Sequence, residues 1–168
     1  MIKSDGMGGH HSPRSETCIW LTPFDIVDTL GPFDLDPCAA PEPRPWDTAA
    51  RHITLPEDGL RTTWAGRVWL NPPYGSPTVI GPWMKRMAEH NDGIALIFAR
   101  TETNVFHKYV WGAASALFFF NGRLCFCYPD GRVADNNAGA PSVLVAYGRS
   151  MKDRLRNWNH RPGRYVDL

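Results

Sequence analysis

At 168 residues, with 43% hydrophobic and 21% charged side chains, the chain has the make-up of one ordinary soluble globular domain with a real core. Eighteen basic against 17 acidic residues leave a formal charge of +1, which argues against a strongly basic nucleic-acid coat but allows a local patch. No signal peptide and no apolar run of transmembrane length is present, so a cytoplasmic location is expected.

Residues 1–17 are polar and glycine-rich and read as a flexible lead-in; His10 and His11 within it are expected to do nothing specific. Thr22 and Pro23 then suit a helix start, with Phe24, Ile26, Val27 and Leu30 following and Gly31 and Pro32 closing it. A short strand is expected over 33–36, running into the loop PCAAPEPRPWD. Residues 46–64 are weakly patterned, and Asp58 and Gly59 mark a turn. Residues 66–70 read as a buried strand that stops at NPPYGSP. Residues 79–90 show helical spacing at Val79, Trp83 and Met87, with Ile80 and Met84 beside that stripe.

The run GIALIFA over 93–99 is continuously apolar, as expected of a strand covered on both faces. A helix over 103–113 and a strand over 116–120 follow. Two closing strands, 123–128 and 142–147, are expected as an antiparallel pair around the loop DGRVADNNAG. The alternation of strand and helix predicts an α/β fold with a mostly parallel sheet and this late antiparallel pair. The chain thus divides into a lead-in, a domain over 18–148 and a basic tail over 149–168. That tail reads either as a solvated helix or as a nucleic-acid contact surface. Cys18, Cys38, Cys125 and Cys127 lack zinc spacing and read as reduced structural thiols, so no metal site is expected.

The chemistry concentrates at Asn71, Pro72, Pro73 and Tyr74. In an open α/β sheet, ligands sit beyond the carboxyl ends of strands, where this tetrapeptide falls. Each proline stiffens the residue before it in extended backbone and donates no N–H. The Asn71 side-chain oxygen and the Pro72 carbonyl can therefore act as two fixed acceptors, which suits an amino group offering two hydrogens. Tyr74 adds a flat face for a planar base. The exocyclic amine of adenine is a poor nucleophile because its lone pair is delocalised. Rigid acceptors on both hydrogens favour the tetrahedral nitrogen that forms during attack on a methyl group. In a duplex the base must first leave the stack. The bland alternative is a rigid strand-to-helix turn.

Seven blocks over 22–147 carry a resemblance: TPFDIVDTL, FDLDPCAAP, DGL, VWLNPPYG, ARTETNVFH, NGRLCF and APSVLVAY. In this order the chain resembles the phage-type DNA N-6-adenine methyltransferases, which use S-adenosylmethionine. The resemblance implies a reduced Rossmann-like class I methyltransferase fold and puts residues 71–74 in the amine-binding and base-stacking roles. It gives FDLDPCAA, with Cys38 and Ala39, the place of the cofactor-binding first motif. Asp36 is the leading candidate there to meet the cofactor, and Asp34 the second, unless Asp34 simply faces solvent. Thr22 and Pro23 resemble a segment that closes over the cofactor, though a plain helix cap serves as well. Asp58 either accepts from the cofactor or sits in a turn.

Arg100, Thr101, Thr103 and His107 follow the next strand end and should border the same cleft. Arg100 is a phosphate contact or a structural ion pair, His107 a packed or capping histidine, and Arg123 a phosphate contact. Two departures stand out: DPCAAP lacks the usual glycine-rich turn, and only 34 residues separate Asp36 from Asn71. No long insert could serve as a target-recognition domain. The expected partner is duplex DNA presenting a flipped adenine. The alternatives are a methyltransferase acting on RNA or a protein glutamine, and a catalytically silent nucleic-acid-binding module.

Overall fold

The computed structural model describes residues 19–168; Cys18, the lead-in and its histidine pair lie outside the described residues. Helix α1 spans Phe24–Leu30 and packs Ile26, Val27 and Leu30 inward. Its cap is Pro23, with no side-chain capping bond, so Thr22 does not cap it as expected. Strand β1 is only Leu35–Asp36, and β2 only Arg51–His52, within the stretch that shows no clear pattern in sequence. Strand β3, Val68–Leu70, is fully buried.

Helix α2, Pro77–His90, begins two residues earlier than the apolar stripe suggests, because Pro77 supplies a preformed first-turn φ. Trp83, Met84 and Met87 face the core, whereas Val79 is exposed. Strand β4, Gly93–Phe98, follows. The helix expected over 103–113 is instead a short α3, Asn104–Phe106, continuing as a π-helical turn, His107–Trp111. Then come β5, Ala116–Phe120, β6, Ser142–Tyr147, α4, Arg149–Arg156, and β7, Gly163–Asp167.

These strands form one seven-stranded sheet among the described residues, in the order β2-β1-β3-β4-β6-β5-β7. From β2 to β4 every pairing is parallel. β6 lies antiparallel between β4 and β5, and β7 lies antiparallel on the far edge of β5. β5 therefore runs in the same direction as β4. The late antiparallel strand is present, but its expected partner is not. Segment 123–128 forms no strand of the sheet, and Cys127 makes isolated bridges to Leu21 and Val133. The cause lies just before it: Gly122, at φ 89°, turns the chain out of the sheet after β5. Leu124 and Phe126 still reach the core while Arg123 and Cys125 stay exposed.

Alternating side chains of β4 feed two cores. Ile94 and Leu96 pack with α1, α4 and Trp158, whereas Ala95 and Ile97 pack with α2, α3 and Phe106. Both faces are covered, which is why β4 reads as one apolar run. The segment 149–168, expected as a basic tail, packs back on the sheet through Met151, Leu155 and Trp158. Much of its charge is engaged internally: Arg154 donates to the Leu30 and Gly31 carbonyls, and Lys152 and Arg156 pair with Asp167. No helix among the described residues is long and apolar enough to cross a membrane.

Candidate active site

After β1 the chain crosses to β2 on one side, then returns to place β3 on the other. The carboxyl ends of β1 and β3 thus flank a topological switch, where open α/β sheets leave a crevice. A cleft of about 430 Å³ occupies that place. Of the residues expected at the site, it brings together Thr22, Asp36, Cys38, Ala39 and Asp58 with Asn71, Pro72, Pro73 and Tyr74.

On the β3 side, Asn71 is held at both ends of its amide. Its Nδ2 donates to the Trp20 carbonyl at 3.3 Å, and its Oδ1 accepts from the Tyr74 hydroxyl at 2.9 Å. These bonds fix which end of the amide is the oxygen, and an amide oxygen keeps a second lone pair for a ligand. No hydrogen bond reaches the Pro72 carbonyl among the described residues. Tyr74 is not the free-standing ring that its position in sequence suggests. It stacks on Phe98 with centroids 4.2 Å apart and planes 23° apart, and its hydroxyl also approaches the Leu96 carbonyl at 3.2 Å. Burial pushes the phenol far above its ordinary pKa, so it stays protonated.

On the β1 side, Asp36 is buried at 4% exposure. Burial raises its carboxyl to about 6, against the opposing pull of the Thr48 hydroxyl, the Cys38 N–H and the Arg44 charge. Thr48 donates to Oδ2 at 2.5 Å and the Cys38 N–H to Oδ1 at 3.1 Å. The Thr48 loop is held by His52 of β2, whose Nε2 faces the N–H groups of Thr48 and Ala49 at 3.1 and 3.3 Å. Burial and Arg44 keep that imidazole below its usual pKa, which suits an acceptor Nε2. Asp47, 3.7 Å away, consequently forms no charge pair with it at neutral pH. The Cys38 thiol donates to the Asn71 carbonyl at 3.1 Å and so ties the two walls together. Burial, then the nearby Asp36 charge, pushes that thiol well up, so it is no nucleophile.

The Thr22 hydroxyl is buried at the cleft wall without a hydrogen-bond partner among the described residues. A buried polar group left single calls for a ligand or solvent partner. Asp58 is exposed; its carboxylate accepts from the Leu60 N–H at 2.9 Å and so also shapes the turn. Next to it stands Gly59, where an added Cβ would lie 1.8 Å from the Pro37 carbonyl oxygen. The turn at Asp58 and Gly59 therefore packs directly against the backbone of the β1 loop.

Other expected site residues lie elsewhere. Asp34 sits at the amino end of β1, away from the carboxyl-end cleft, and is exposed there; its Oδ2 accepts from the Arg67 backbone N–H at 2.7 Å. Arg100, Thr101 and His107 are exposed and do not line the cleft. Thr103 caps α3, accepting from the Phe106 N–H at 3.3 Å. Pro23 and Arg123 line a second cavity instead. Conversely, Trp20, Arg44, Trp46 and Thr48 line the cleft though the residue pattern does not point to them, and Trp83 reaches it from the apolar stripe of α2. Arg44 was the readable signal: a lone cation in a proline-rich loop, here half-buried against Glu42 and Asp47.

A family model described as DNA N-6-adenine-methyltransferase (Dam) matches residues 9–159. The DNA N-6-adenine-methyltransferase of Escherichia phage T1 is 28% identical over 53% of this chain and 39% of that relative. The chain therefore matches less than half the length of that curated relative. No solved structure matches the chain.

Proposed function

The chain belongs to the DNA N-6-adenine-methyltransferase family, and from that membership we propose that it transfers a methyl group from S-adenosylmethionine to the N6 amine of adenine in DNA, in the cytoplasm. The observation that carries this reading is the meeting of residues 36–39 and 71–74 in one cleft at the switch between β1 and β3. The strand order, with an antiparallel strand between the last two parallel ones, supports a reduced Rossmann-like methyltransferase sheet.

The residues of the cleft fit the methyl donor. A buried carboxylate, Asp36, suits its ammonium or ribose hydroxyls, and the single Thr22 hydroxyl suits a polar group. Ile53, Leu55 and Trp83 give apolar wall for a flat ring. When bound, S-adenosylmethionine supplies an electrophilic methyl on its sulfonium.

The protein's own part is positioning. The free lone pair of Asn71 Oδ1 and the Pro72 carbonyl take the two amine hydrogens and stabilise the positive charge that develops on nitrogen. Tyr74 contributes to stacking and, through its hydroxyl, to the aim of the Asn71 oxygen. Neither Cys38 nor Tyr74 ionises at neutral pH, so neither serves as a base, and the amine proton leaves to water after transfer. An adenine in duplex DNA reaches these groups only after leaving its stack.

The test is transfer from labelled S-adenosylmethionine to duplex DNA, RNA and a glutamine-bearing protein in parallel. N6-methyladenine in the digested DNA is expected. Label confined to RNA or protein overturns the DNA assignment. A folded, donor-binding protein that labels nothing overturns the enzymatic reading.

A further inference from the structure

A second cavity, of about 500 Å³, opens beside the first. Because β5 runs with β4, its carboxyl end leaves the sheet on the same edge as those of β1 and β3. The cavity lies at that end, around Asn121 and Arg123, and is closed on the other side by the start of α1 and by Arg161. The two cavities are neighbours. Trp46 lines both, and Thr22 faces one while Pro23 faces the other.

Its walls offer two kinds of contact. Phe24 is 48% exposed, although it begins a helix that buries Ile26, Val27 and Leu30, and its ring lies 5.9 Å from that of Trp46. Aromatic rings in such a place stack bases of any identity. The charge is also suitable. Arg161 holds the Asp25 carboxylate in a two-bond clasp, at 2.6 and 2.7 Å, so this acidic group of the lining is already neutralised. Arg123 has no carboxylate partner among the described residues, and its one hydrogen bond, to the Ala138 carbonyl, is long at 3.4 Å. The turn at Gly122, where an added Cβ would meet nothing within 4 Å, carries it to the mouth. Neither buried unpartnered side-chain atom found among the described residues, Thr22 Oγ1 or Ser142 Oγ, lines this cavity, as one would expect of an enclosed small-molecule site.

We propose that this second cavity holds the DNA strand next to the target nucleotide, with Phe24 stacking on a neighbouring base and Arg123 contacting a backbone phosphate. The inference rests on the DNA reading above and adds the path of the strand to it.

The test is binding of a fluorescent unmethylated duplex by anisotropy across a range of salt concentrations. Phe24→Ala weakens binding roughly tenfold through lost stacking, whereas Phe24→Tyr keeps the ring and the affinity. Arg123→Gln lowers the slope of log affinity against log salt by about one phosphate contact. Donor binding by calorimetry stays unchanged in all three, since neither side chain lines the first cleft. Wild-type affinity and slope in both Phe24→Ala and Arg123→Gln overturn the proposal, and so does an effect seen on RNA but not on DNA. Methyl transfer to the same duplex separates the two claims. Transfer with unaltered DNA affinity in the variants sinks the strand path and leaves the reaction standing. Weakened DNA binding without any transfer by the wild type sinks the reaction and leaves the cavity.

Discussion

Four consecutive residues after β3 make one wall of the cleft, whereas the wall after β1 draws on four separate stretches between residues 19 and 59. The first wall is stiff by local covalent means. Two prolines fix the backbone, and Tyr74 reaches back three residues to aim Asn71. The second wall is stiff only at a distance. Asp36 depends on Thr48, Thr48 depends on His52, and the loop between them is braced by Arg44. The contrast predicts a division of labour: changes in the β3 wall alter turnover, and changes in the β1 wall alter donor affinity and stability.

The largest effect that tests this division is Asn71→Ala. Loss of one preorganised partner of the reacting amine lowers kcat by about a hundredfold or more, with donor affinity and the unfolding midpoint nearly unchanged. A variant that loses donor binding instead would break the separation of the walls. Asp36→Asn comes next and acts on the other wall. It weakens donor binding by about ten- to a hundredfold, the worth of a charge-assisted hydrogen bond, as read by calorimetry.

Asp36 also gives the comparison a pH axis. A carboxyl raised in the folded state favours the protonated form. Its stabilising contribution is full below about pH 4 and lost as pH rises through about 6. Donor capture needs the ionised form, so donor affinity falls as pH drops below about 6 while this group's contribution to stability grows. Asp36→Asn flattens both dependences, which paired thermal melts and donor titrations at pH 5 and pH 8 will display.

Tyr74→Phe is smaller. The ring and its Phe98 contact survive, but the bond that aims Asn71 is gone, so kcat falls by roughly three- to tenfold at constant donor affinity. Thr22→Val is smallest and has two signs. Removing a buried hydroxyl without a partner raises the unfolding free energy by up to about 1 kcal/mol, and donor affinity falls a fewfold. A stabilised variant with unchanged donor affinity would remove Thr22 from the donor wall.

The same contrast explains what could be read from residue order. The β3 wall is contiguous, so NPPY after a short apolar run carried both its place and its rigidity. β4 was readable because burial on both faces leaves an unbroken apolar run. β1 and β2 have two residues each, too few to show a period, and their pairing is set by contacts many residues away. That is why only the family resemblance ranks Asp36 ahead of Asp34; in the structure Asp34 binds Arg67 at the strand's amino end and Asp36 lies in the cleft. Segment 123–128 has alternating apolar residues, but its neighbours are single bridges rather than a ladder. The last helix did leave a trace: Met151, Leu155 and Trp158 recur at i, i+4 and i+7 beneath a surface of arginines, and charge masked the period.

Gly59 sets the spacing of the β1 wall of the cleft. A methyl group there would meet the Pro37 carbonyl oxygen, part of the backbone and unable to swing aside as a side chain could, so the strand-end loop and the facing turn would have to part. One hydrogen atom therefore gauges the spacing between the two loops. Substituting it would act as a shim, widening the entrance while every hydrogen-bonding side chain of the cleft kept its identity.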